Sequence, residues 1–102
     1  MKYLKKYENV NKPQIGDYVK VISESLDRYV VEFINNNIGK IKWIDYNNLF
    51  VEDEYPILVE FDEKIPVYKE YTITVNMWEI EFLTPEETKN YIFKQNIKKY
   101  NL

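Results

Sequence analysis

The chain predicts a mainly β, α+β fold: a small barrel of four or five short strands, with a short helix inserted after the first strand and a second helix at the C-terminal end. Three observations carry this. Apolar and polar residues alternate with period two in several separate runs, one stretch around residue 30 repeats with helical period, and a helix-start signature stands at Thr84. At 102 residues there is room for one domain. Closing so small a sheet also disposes of exposed strand edges.

Residues 1 to 13 are a polar lead closed by Pro13 and read as an N-terminal arm, with the domain proper at 14 to 102. Tyr3, Leu4 and Tyr7 sit at helical spacing, so the arm is either a short helix or an extended segment. From Asp17 the period becomes two, with Tyr18, Lys20 and Ile22 on one face and Val19 and Val21 on the other. Gly16 marks the turn into this first strand, because glycine takes a positive φ at little cost.

Residues 25 to 36 fit two periods. Leu26, Tyr29, Val30, Phe33 and Ile34 follow i, i+3, i+4, i+7, i+8, which favours an amphipathic helix capped by Ser25 and ended by three asparagines and Gly39. The rival is a strand over 28 to 34, since Tyr, Val, Phe and Ile all suit pleated surfaces. A second strand then leaves a turn at Gly39, with Ile41 and Trp43 in one phase and Lys40 and Lys42 in the other. Residues 47 to 56 make a polar corner with a few strand residues at 49 to 51, a third strand spans 57 to 63, and a loop holds Pro66.

In the long run from Glu70, Tyr71, Ile73, Val75 and Met77 share one phase while Trp78, Ile80 and Phe82 share the other. Such a change of phase marks a bulge or a tight bend near Asn76. Thr84, Pro85 and Glu87 then form a capping box with proline at the first helical position, opening a helix over about 85 to 99.

Composition narrows the chemistry. There is no cysteine and no histidine, which removes disulfides, zinc-thiolate sites, and the commonest metal ligand and general base. No apolar run approaches the ~20 residues of a membrane span, and the opening lacks a signal-peptide core, so a cytoplasmic protein is expected. Ten tyrosines and two tryptophans give the apolar area polar handles, suited to a thin core or to an exposed binding face. Charge is uneven: residues 52 to 87 hold eleven acids against Lys64 and Lys69, while residues 88 to 102 hold four lysines and no acid.

Taken together, the strands, the inserted helix and the terminal helix suggest an SH3-like barrel. Pro13, Ile15, Gly16, Asp17, Tyr18 and Val19, then Asn37 to Ile41 and Leu58 to Asp62, resemble small, mostly uncharacterised proteins of bacteriophages and mobile elements, and more distantly KOW-type SH3-like barrels. The resemblance covers about residues 13 to 88 and implies the barrel; it says little of function, since such barrels serve as adaptors, nucleic-acid binders and inhibitors. Typical KOW segments are basic and glycine-rich, whereas this one is acidic, with a longer insertion at 23 to 37.

Three classes of function follow. Catalysis has little to work with: Glu52, Asp53, Glu54, Asp62 and Glu63 have no spacing that forces a carboxylate pair, and Ser23 and Ser25 have no histidine to activate them. No catalytic residue, metal or cofactor is therefore expected. Nucleic-acid binding would use Lys40, Lys42, Trp43 and Tyr46, cations and rings interleaved as in stacking platforms, unless Trp43 faces inward with Ile41. Protein binding is the preferred class. Glu52, Asp53, Glu54, Asp62 and Glu63, rimmed by Tyr55, Tyr68, Tyr71 and Trp78, would meet a basic or nucleic-acid-binding host protein, with charge speeding encounter and the rings as anchors.

Overall fold

A computed structural model describes residues 12–23 and 26–100; residues 1 to 11 of the expected arm and the expected cap Ser25 lie outside these. Along the chain run β1 (Tyr18–Val21), α1 (Arg28–Asn36), β2 (Gly39–Ile44), the 3-10 turn η1 (Tyr46–Asn48), β3 (Ile57–Ile65), β4 (Glu70–Val75), the 3-10 turn η2 (Met77–Glu79), β5 (Ile80–Phe82) and α2 (Pro85–Tyr100). The strands form one antiparallel sheet in the order β4-β3-β2-β1-β5. β4 and β5 are its two edges, joined through η2 rather than by a ladder.

The period-two runs bury the faces they imply. Val19 and Val21 in β1, Ile57, Val59 and Phe61 in β3, and Val75 in β4 all lie in the core. Fully burying an aliphatic side chain of this kind stabilises the fold by about 1.5–3 kcal/mol. Residues 28 to 36 are helical, and the helical period brings Phe33 to the core together with Val30 and Ile34, whereas a strand's period of two would place Phe33 on the face opposite to them. Tyr29, expected on that face, is 59% exposed. Asp27 caps the helix, its carboxylate accepting from the Tyr29 N–H at 2.8 Å. At the other end the asparagines act through their side chains: Asn36 Nδ2 donates to Glu32 O and Asn37 Nδ2 to Phe33 O.

The two glycines do different work. Gly16 has φ +100° with open space around it, as a turn device should. Gly39 is no turn: it is the buried first residue of β2, where a Cβ would overlap Val59 Cγ1 and come within 3.2 and 3.3 Å of the Phe61 ring. One expected stretch of strand is absent. No strand forms at 49 to 51, where Leu49 instead plugs the core at 2% exposure.

β2 carries a bulge. Ile41 lies opposite Val59 but Trp43 opposite Leu58, so Lys42 is an extra residue and the alternation breaks there. The bulge decides between the two orientations left open for Trp43: Ile41 and Ile44 are buried and Trp43 is 56% exposed. The change of phase after β4 is η2, where Asn76 Oδ1 accepts from the Trp78 N–H at 2.9 Å and Glu79 reaches back to the Asn76 N–H at 3.1 Å. Thr84 and Glu87 make the expected box, each side chain accepting from the other's N–H at 3.1 Å.

Candidate functional site

The free edge of β4 has a groove beside it. About 310 Å³ of space is lined by Leu26, Tyr55, Tyr68, Ile73, Thr74, Val75 and Glu79, residues from five separate stretches of the chain. Two of the expected partner-binding rings, Tyr55 and Tyr68, are thus brought to one place. Ile73 is partly buried against the core and gives the groove an apolar floor.

Each wall has a local cause. Tyr55 ends a loop whose neck is pinned by the Asp45 N–H donating to Pro56 O at 2.8 Å, with Leu49 as its plug. Asp45 also caps η1, accepting from the Asn47 N–H at 3.2 Å and from Asn48 Nδ2 at 2.7 Å. Held in this way, the loop turns Phe50, Val51, Glu52, Asp53, Glu54 and Tyr55 out to solvent. Tyr68 is presented by a strained turn. Its N–H donates to Pro66 O at 2.8 Å around Val67, whose φ of +71° is rare for a β-branched residue. Lys69, at φ +57°, closes the hairpin by donating to Ile65 O at 2.9 Å.

The other expected partner-binding residues divide. Tyr71, 46% exposed, lies at the turn end of β4 with Lys64 Nζ 5.9 Å from its ring centroid. Trp78, in η2, is 38% exposed. Glu63 is exposed at the end of β3. Asp62 serves another purpose: its carboxylate accepts from the Tyr91 hydroxyl at 2.9 Å and from Gln95 Nε2 at 3.0 Å, and so holds α2 against the sheet. Glu87 is likewise engaged, by Lys20 of β1, and Glu60 lies 3.7 Å from Lys42. The acids therefore do not form one surface: Glu60, Asp62 and Glu87 are engaged with other side chains, Glu63 lies at the far end of β3, and Glu52 to Glu54 are exposed in the loop that ends at Tyr55.

The Lys20–Glu87 contact raises the Lys20 pKa and, with the Thr84 N–H, lowers that of Glu87. Burial pushes the Tyr91 phenol well above its ordinary value, and the Asp62 carboxylate adds to the shift. These perturbed groups all belong to the attachment of α2.

The nucleic-acid candidates form a second surface. Lys40 and Trp43 are exposed on β2 beside the bulged Lys42, and Tyr46 follows in η1. Lys40 Nζ lies 5.7 Å from the Tyr18 ring centroid, and the Tyr46 hydroxyl donates to Pro13 O at 3.4 Å. Both lysines are thus already engaged with neighbours, and Glu60 stands among them.

Among the described residues no three acidic side chains converge to hold a metal ion, and no helix is long and apolar enough to cross a membrane. Sequence reasoning missed Leu26, Ile73, Thr74, Val75 and Glu79 as groove residues. Ile73 and Val75 left a trace, as apolar residues in the same phase of the strand as Tyr71. Comparison with protein-family models, curated proteins and solved structures finds no match for this chain.

Proposed function

We propose that the chain is a non-catalytic interaction module, an SH3-like small barrel that binds a basic protein in the groove between Tyr55 and Tyr68. The observation that carries this reading is that two tyrosines thirteen positions apart flank one apolar-floored groove, with Glu79 in its wall and the exposed Glu52, Asp53 and Glu54 directly preceding Tyr55 in the chain. Rings fix a partner by burial, and the carboxylates select for cations and speed encounter. The strand order β4-β3-β2-β1-β5, with a 3-10 turn between β4 and β5, supports the SH3-like connectivity. The resemblance of residues 13 to 88 to phage-borne proteins is the ground for seeking the partner in a bacterial cytoplasm, with a nucleic-acid-binding defence protein as the sharpest form of the idea.

The test is co-purification from host lysate. A specific partner should be retained by the native chain and lost from the Glu52→Lys, Asp53→Lys, Glu54→Lys triple variant and from Tyr55→Ala with Tyr68→Ala. A partner retained by both variants would remove the groove from consideration.

A second reading rests on the exposure of Trp43. Beside Lys40, Lys42 and Tyr46 it offers a stacking surface for single-stranded nucleic acid. Gel shifts that weaken as salt rises, and that disappear with Trp43→Ala, would favour it over the groove.

A further inference from the structure

The two edges of the sheet are not alike. β5 is three residues long, follows η2 directly, and runs within two residues into α2 at Pro85. β4 is six residues long, Glu70 to Val75, with no proline and a single charge at its first position. Tyr71 to Val75 are threonine, tyrosine and branched aliphatic residues, all suited to strands. Natural edges are usually blunted by brevity, lysine, proline or a covering segment, and along β4 none of these is present among the described residues. Every second N–H and C=O of an edge strand points away from its one neighbour, so β4 offers a row of unmatched donors and acceptors.

The groove runs along this edge. Three consecutive residues of β4, Ile73, Thr74 and Val75, line it. Consecutive strand residues point to opposite faces, so a space touching all three lies at the rim of the sheet rather than on one face. An added strand would therefore set alternate side chains between Leu26, Tyr55 and Tyr68 while its backbone paired with β4.

Charge selects the occupant. At the turn end Lys64 and Lys69 are balanced by Glu63 and Glu70, whereas at the Val75 end stand Glu79 and the loop carrying Glu52, Asp53 and Glu54, with no lysine in residues 45 to 57 or 70 to 84 to offset them. We propose that this module recognises an extended, basic segment of its partner by adding it to the sheet as a strand along β4, with the segment's cations at the Val75 end. The inference rests on the groove reading above and states the form its ligand takes.

The probe is an end-blocked, fluorescent peptide of alternating valine and threonine with two lysines at one terminus, used with the full chain. Two further peptides are N-methylated on all valines or on all threonines, which removes the donors of one edge while leaving the side chains intact. Anisotropy should show the unmodified peptide binding, at least one methylated series weakened about tenfold or more, and slowed amide exchange at residues 70 to 75 on binding. If both methylated series bind as well as the unmodified peptide, while the Glu52, Asp53 and Glu54 reversal still weakens all three, strand addition is overturned and the groove reading stands. If the unmodified peptide fails to bind, strand addition is overturned, and the lysate experiment decides the groove reading separately. If sedimentation shows a dimer with residues 70 to 75 protected before any peptide is added, the edge belongs to a second copy of the chain and the proposal is overturned.

Discussion

The short helix α1 sets Val30 and Ile34 at 0% and 1% exposure under the sheet and rests the Phe33 ring edge-on against Phe61, centroids 5.3 Å apart. The longer α2 has no buried residue among those described. It is held by the Tyr91 ring 5.1 Å from Tyr18, the Tyr91 and Gln95 bonds to Asp62, and the Lys20–Glu87 pair. Beyond those contacts Ile92, Phe93 and Ile97 stand 41%, 63% and 44% exposed. A nine-residue helix is too short to persist alone, so α1 is helical because the core needs its apolar face; sixteen residues with a capping box and terminal lysines have more local support, and α2 can be fastened by a few polar contacts.

Mutations should expose this difference, most strongly at α1. Ile34→Ala leaves a cavity in the core and should cost about 2–4 kcal/mol of global stability, read from a lowered midpoint in urea unfolding. An effect under about 1 kcal/mol would mean that α1 is not part of the cooperative core. Tyr91→Ala should cost about 1–2 kcal/mol, and its mark should be local: faster amide exchange in residues 85 to 100 with the strands unchanged. If the strands loosen as much as the helix, α2 is no appendage.

pH should act on the same attachment from both sides. The Glu87 pKa is lowered in the fold, so its contribution is present above the ordinary carboxylate value of 4.5 and is lost as acid protonates it. Lys20 and Tyr91 have raised pKa values, so theirs are present below 10.5 and 10.0 and are lost as pH climbs beyond. Amide exchange corrected for its intrinsic pH dependence should therefore show α2 loosening below about pH 4 and above about pH 10, before β2 and β3 respond. The smallest change belongs to Ile97→Ser, which should move stability by no more than about 0.5 kcal/mol because the side chain is already half in water.

Local features were the legible ones. The capping box at Thr84 and the bend at Asn76 depend on residues within three positions, and the helical period of 28 to 36 shows in its own spacing. What escaped depends on partners far along the chain. Gly39 looks like a turn residue until Val59 and Phe61 are seen to fill the space of its missing side chain. Asp62 looks like one more surface acid, because Tyr91 and Gln95 lie 29 and 33 positions away. The groove is illegible for the same reason: its walls come from residues 26, 55, 68, 73–75 and 79, and no spacing announces their meeting.

β2 is one residue longer than its ladder requires. With Lys42 deleted, Ile41, Trp43 and Ile44 would still stand opposite Val59, Leu58 and Ile57, in unbroken succession. The strand would straighten, and the Asp45 to Pro56 loop that follows would leave the sheet at a different angle. Lys42 is thus a hinge pin of the architecture, through which a change of length in one strand steers the aim of Tyr55.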